Sequence, residues 1–123
     1  MSAYEFLGRE EGLRRLVDRF YELMDTLPEA ATIRAMHPQD LSESAEKLWM
    51  FLVGRFGGPQ LYVEKHGHPR LRGRHMPFAV DDEAARAWML CMDQALEEQV
   101  AEGAEREELS AFFTHIAQHM KNR

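Results

Sequence analysis

The stretch that decides the fold is Leu13-Arg14-Arg15-Leu16-Val17-Asp18-Arg19-Phe20-Tyr21-Glu22-Leu23-Met24-Asp25-Thr26-Leu27. Leu13, Leu16, Val17, Phe20, Tyr21, Met24 and Leu27 recur at the three- and four-residue spacing of one helix face, while Arg14, Arg15, Asp18, Arg19 and Glu22 fall on the other. The pattern predicts an amphipathic helix with Tyr21 on its buried side. Pro28 stops it and can open a short second helix through Ile33 to Met36, ended near His37-Pro38.

The same reading extends along the chain. Asp40, with Glu43 three residues later, predicts the N-cap of a further helix that Gly57-Gly58-Pro59 ends. Leu41, Ala45, Leu48 and Leu52 form its stripe, but Leu48-Trp49-Met50-Phe51-Leu52-Val53 is apolar all round and must meet apolar partners on both sides. Residues 57–70, dense in Gly and Pro, read as a long ordered loop in which Leu61-Tyr62-Val63 is too short to count. A short helix follows around Arg70 to Met76, cut by Pro77. Asp81 caps a long helix carrying Ala85, Trp88, Met89, Met92 and Leu96 on one face and closing at Gly103; a last helix holds Leu109, Phe112, Phe113, Ile116, Ala117 and Met120. The architecture expected is all-α, four substantial helices and two short ones, as a single domain over residues 1–123.

Composition bounds the function. At 123 residues the chain has room for one core and none for a second, nucleotide-binding domain. Its net charge of −6 disfavours nucleic acid or an anionic membrane as principal partner. With one cysteine, Cys91, no intrachain disulfide can form. There is no basic-then-apolar leader and no run near the roughly 18 apolar residues of a membrane span, so the expected location is the cytoplasm.

Chemistry concentrates in Gly67-His68-Pro69-Arg70-Leu71-Arg72-Gly73-Arg74-His75-Met76-Pro77-Phe78. This segment resembles the proximal region of the group II truncated haemoglobins. Phe20-Tyr21, Gly57-Gly58-Pro59, Ala87-Trp88 and Cys91-Met92 match the same family in the right order, across roughly residues 20 to 92. The resemblance implies a two-over-two helical sandwich around one non-covalently held haem b, with His75 as the proximal iron ligand. Imidazole suits iron, provided its second ring nitrogen is fixed by an acceptor. The family pattern assigns Tyr21, Trp88, Leu48, Ser44 and His37 to the distal pocket. A haem also needs cations for its two propionates, and Lys47, Arg72 and Arg74 lie beside the proposed pocket with Tyr62 as a hydroxyl donor; Phe20, Phe51, Leu52, Met76 and Phe78 are the further candidates for contact with the cofactor. Cys-x-x-Cys-His is absent, so no thioether attachment is expected.

His37 departs from the family, which usually has Phe or Tyr there. A titratable ring at that position predicts ligand behaviour that changes between about pH 5 and 8. His115 and His119 lie at i, i+4, but with no third ligand evident they read as a solvated helix edge. His68 is expected to brace the loop, His66 to be solvated, and Cys91 to be a small core residue.

The function implied is reversible binding of oxygen, nitric oxide, carbon monoxide or a similar small ligand, by a monomer or homodimer. Nitric-oxide dioxygenation or peroxidase-like turnover is the alternative and would need an external reductase, since Gly-x-Gly-x-x-Gly is absent. A haem-free helical interaction module, using the apolar stretch of residues 48–53, is the third.

Overall fold

A computed structural model describes all residues, 1–123. Four long helices make the frame: α2 (Arg9–Thr26), α4 (Ser42–Arg55), α7 (Asp82–Gln99) and α8 (Ala104–Met120). Short elements connect them: α1 (Ala3–Phe6), a 3-10 turn over Pro28–Ala30, α3 (Ala31–Ala35), α5 (Leu61–His66) and α6 (Leu71–His75). There is no strand. α2 packs on α4, α7 on α8, and the two pairs meet where α2 lies against α7, giving a two-over-two sandwich. Leu13, Leu16, Val17 and Phe20 of α2 are fully shielded from solvent, as are Cys91, Met92 and Ala95 of α7. The stripe read from the sequence is thus the face that the core uses. Burial pushes the Cys91 thiol up to about 11, with the Glu29 carboxylate adding to the shift, so it stays protonated at neutral pH.

Asp81 caps α7 as expected, its carboxylate accepting from the Ala84 N–H at 2.8 Å. Asp40 does not cap α4 directly. Its carboxylate accepts from the Ser42 N–H at 2.9 Å, a local turn that hands the cap position to Leu41. Glu43 pairs forward with Lys47 at 3.0 Å instead of returning to the backbone.

The long loop expected over 57–70 contains α5. Tyr62, buried, anchors it, and Gly67 ends it at φ 78°, a left-handed value that glycine adopts without strain. α7 ends at Gln99 and not at Gly103, because Val100 turns extended and becomes buried; Gly103 stands at the N-cap of α8. The six-residue apolar run of α4 meets partners on both sides, as expected. Leu48, Phe51 and Leu52 face a cavity, while Trp49 turns to α2, donating to the Glu10 carbonyl at 2.8 Å beneath the Arg14 guanidinium.

One corner depends on a missing side chain. Gly12, in the first turns of α2, lies so close to the end of α1 that a Cβ there would stand 1.7 Å from the Leu7 carbonyl oxygen.

Candidate functional site

A cavity of about 530 Å³ lies among α2, α3, α4, α5, α6, α7 and α8, and eighteen of its twenty-four lining residues are hydrophobic. α4 contributes Ser44, Lys47, Leu48, Phe51 and Leu52; α2 contributes Tyr21; α7 contributes Ala84, Ala85 and Trp88. The size and lining are those of a site for a largely apolar organic group, which apolar walls accept and a few polar atoms orient.

His75, at the end of α6, stands on this wall. Its Nδ1 lies 2.6 Å from the Leu71 carbonyl oxygen. A carbonyl only accepts, so Nδ1 carries a proton, and in the neutral ring Nε2 keeps its lone pair. The ring is therefore held by its own helix in the tautomer that can ligate a metal.

His37 repeats the device across the cavity wall. Its Nδ1 lies 2.8 Å from the Ile33 carbonyl oxygen, leaving Nε2 as its free nitrogen, and its ring meets that of Tyr21 edge-on at 5.9 Å. The Tyr21 hydroxyl reaches the Ser44 carbonyl only at 3.5 Å, a weak bond, and burial raises the phenol well above its ordinary pKa. Tyr21 is thus a neutral donor at any ordinary pH. The Trp88 indole N–H makes no hydrogen bond within the protein, and since no fully buried side-chain polar atom is left unpartnered, it is not sealed from the open space its residue lines. Its ring is clamped between Phe20 at 4.9 Å and Phe113 at 5.9 Å.

Phe20 stands behind the wall and not on it. Fully buried, it touches both Tyr21 and Trp88 and so props the two donors. Of the four residues expected near the propionates, Lys47, Arg74 and Tyr62 are on the wall. Lys47 is engaged by Glu43, and Arg74 donates to the Pro69 carbonyl at 2.6 Å with its guanidinium 5.8 Å from the Tyr62 ring. Arg72 lies outside the cavity, donating to the Lys121 carbonyl at 3.1 Å and contacting the Met76 sulfur at 3.4 Å. Met76 is likewise off the wall, whereas Phe78 is on it at the exposed rim.

His68 braces its turn as expected, Nδ1 accepting from the Arg70 N–H at 3.1 Å. His66 is half-buried against Tyr62, ring centroids 4.9 Å apart, and is not simply solvated. His115 and His119 are exposed. Sequence reasoning missed the contribution of α8, which lays Phe112, Phe113, Ile116, Ala117 and Met120 along the cavity. The breadth of that apolar stripe was the available signal, since it exceeds what packing on α7 alone requires.

The residues fit a haem. No three His, Cys, Asp or Glu side chains converge to hold a bare metal ion; a single imidazole such as that of His75 suits a metal already carried by a macrocycle. The walls suit a porphyrin, and the ammonium of Lys47 and guanidinium of Arg74 suit its carboxylates.

A helical sandwich enclosing an apolar cavity, with a histidine on a short helix at its wall, is the arrangement of a globin. The sequence pattern of the bacterial-like globin family matches residues 2–122. Group 2 truncated hemoglobin YjbI of Bacillus subtilis is 44% identical over 121 residues, covering 98% of this chain and 89% of that one. The cold-adapted truncated hemoglobin of the Antarctic bacterium Pseudoalteromonas haloplanktis superposes with a TM-score of 0.97 at 41% identity, covering 100% and 99% of the two chains. The truncated oxygen-avid haemoglobin of Bacillus subtilis superposes at 0.89 with 43% identity, over 99% and 100%. The chain belongs to the bacterial-like globin family, among the group II truncated haemoglobins.

Proposed function

We propose that the chain, as a single truncated-globin domain, holds one haem b non-covalently on His75 and binds oxygen reversibly, with nitric oxide and carbon monoxide as related ligands. The observation that carries this reading is the 2.6 Å contact of His75 Nδ1 with the Leu71 carbonyl, on a residue that lines a largely apolar cavity, which leaves Nε2 of the neutral ring free to ligate. When bound, the ferrous iron supplies the coordination position for a diatomic ligand. The protein supplies the surroundings. Trp88 and Tyr21 offer N–H and O–H donors to a ligand that gains negative charge. Leu48 and Phe51 exclude water, and Ser44 leaves room beside them. Lys47, Arg74 and Tyr62 offer cations and a hydroxyl to the propionates.

His37 adds an acceptor at Nε2 when neutral and a donor there once protonated. Oxygen release is therefore expected to depend on pH, and His37→Phe to flatten that profile; identical profiles would remove His37 from the ligand's surroundings. The relative described as oxygen-avid supports oxygen as the ligand. An external reductase would keep the iron ferrous. The single buried Cys91 suits a reducing compartment such as the cytoplasm, and no helix is long and apolar enough to cross a membrane. The apolar run of residues 48–53, which motivated an interaction module, is taken up by the cavity and core.

The test is a titration of the haem-free protein with haemin, followed by the Soret band. The expected outcome is one haem per chain and a histidine-ligated ferrous spectrum. His75→Ala should hold haem weakly, with added imidazole restoring the spectrum. An unchanged histidine-ligated spectrum in that variant refutes the assignment.

A further inference from the structure

Asn122 follows the end of α8, far from His75 in sequence, yet apart from a 3.3 Å contact of its amide oxygen with the adjacent Arg123 guanidinium its side chain binds the proximal segment. Its amide oxygen accepts from the Val80 N–H at 3.0 Å. Its amide nitrogen donates to the His75 carbonyl at 3.1 Å and to the Phe78 carbonyl at 3.0 Å. A carboxamide has two N–H donors and one acceptor oxygen, and here all are used on three backbone groups of one short stretch. The main chain adds Asn122 N–H and Arg123 N–H to the Val80 carbonyl, at 2.9 and 3.3 Å. Two neighbouring contacts fasten the same tail: Arg72 on the Lys121 carbonyl at 3.1 Å, and the Lys121 ammonium on Asp82 at 2.7 Å.

The segment so gripped is one that could not hold its own shape. α6 has five residues, none buried, and no side-chain cap at its N-terminus, where Arg70 sits at the left-handed φ of 48°. A helix this short is unstable alone, because one turn of hydrogen bonds does not offset the ordering of its backbone. The His75 ring is tied to Leu71 within that same helix, so the bond orients the ring relative to α6 and leaves open where α6 itself stands. The tie between the His75 main chain and the rest of the fold comes from Asn122.

We propose that Asn122 is a positioning residue for the proximal histidine: by holding the His75 and Phe78 carbonyls it sets the place from which His75 meets the iron. The proposal rests on His75 being the iron ligand. A residue that merely fastened the tail would affect stability and leave the iron–imidazole bond alone. Three variants separate the two roles. Asn122→Ala removes every side-chain bond. Asn122→Asp keeps the acceptor for Val80 but cannot donate to the two carbonyls, and it carries the test should Asn122→Ala fail to fold. Lys121→Ala cuts the ion pair to Asp82 and leaves the carboxamide in place.

The readouts are the iron–histidine stretching band in the resonance Raman spectrum of the ferrous, ligand-free protein, and the rate of haem transfer to apomyoglobin. Both Asn122 variants are expected to shift or broaden the band and to speed transfer by about two- to tenfold, the factor that corresponds to one neutral hydrogen bond. Lys121→Ala should leave the band unmoved even where it lowers the melting temperature. An unmoved band in both Asn122 variants overturns the proposal while His75 remains the ligand. Absence of an iron–histidine band from the parent protein overturns the assignment of His75 and the proposal with it.

Discussion

Replacing Trp88 by Phe isolates one hydrogen-bond donor from the packing around it. The indole N–H faces no acceptor in the protein, so removing it breaks nothing in the ligand-free fold. Phe keeps an aromatic ring between Phe20 and Phe113, which now lie 4.9 and 5.9 Å from the indole. What is lost is a donor to a ligand that becomes charge-like in the cavity, worth about 1.5–3 kcal/mol. At 1.36 kcal/mol per tenfold, oxygen release should speed up roughly 10- to 100-fold. Tyr21 can compensate only by giving up its 3.5 Å bond to the Ser44 carbonyl, a weak tether, which favours the lower end of that range. Stopped-flow displacement of oxygen measures the rate directly. Carbon monoxide supplies the control: it gains little charge, so its release should stay near the parent value if the donor is what matters and should change equally if packing is. Oxygen release within about twofold of the parent corresponds to less than the weakest such bond and would reduce Trp88 to a piece of wall.

Two further outcomes test the frame. Gly12→Ala places a Cβ 1.7 Å from the Leu7 carbonyl oxygen, forcing α1 from α2; a loss of about 1–3 kcal/mol is expected in denaturant unfolding, and unchanged stability would show that α1 is not seated there. Asp82 has its pKa lowered chiefly by the hydrogen bond from Lys121, with their charge attraction second. A carboxylate whose pKa is lowered on folding stabilises the fold above its unfolded-state value and loses that contribution as pH falls through the folded one. Asp82→Asn should therefore melt below the parent at pH 7, with the gap closing as pH drops below about 4. A gap that persists in acid would mean that Asn disturbs the start of α7 by some route other than lost charge.

What could be read in the sequence divides along a physical line. Elements stabilised by their own residues were legible. The stripe of α2 buries Leu13 to Met24, and Asp81 caps α7 through its own carboxylate, so period and capping chemistry sufficed. α5 was not, because its six residues between Gly-Pro punctuation have no period of their own; it forms around the burial of Tyr62 and the left-handed turn at Gly67. The start of α4 was misplaced for a related reason: Asp40 could cap either one or two residues on, and only the finished turn, with Leu41 at the cap, decides between them.

The site divides in the same way. The motif around His75 marks the ring, and the spacing of Leu71 and His75 along one helix already allows the Nδ1 bond, since a carbonyl four residues back lies within reach. His37 repeats that spacing with Ile33, and the pair shows one local device preparing an Nε2 lone pair twice, at two points on one cavity. Device and spacing do not say where either ring stands in space. For His75 the contact distant in sequence is the Asn122 amide on its carbonyl, and nothing at residue 122 has a period or motif that refers to residue 75. A local hydrogen bond can choose a tautomer, but placing the nitrogen requires the tertiary fold. It follows that substitutions near the C-terminus should act on the proximal bond more strongly than their distance in sequence from His75 would suggest.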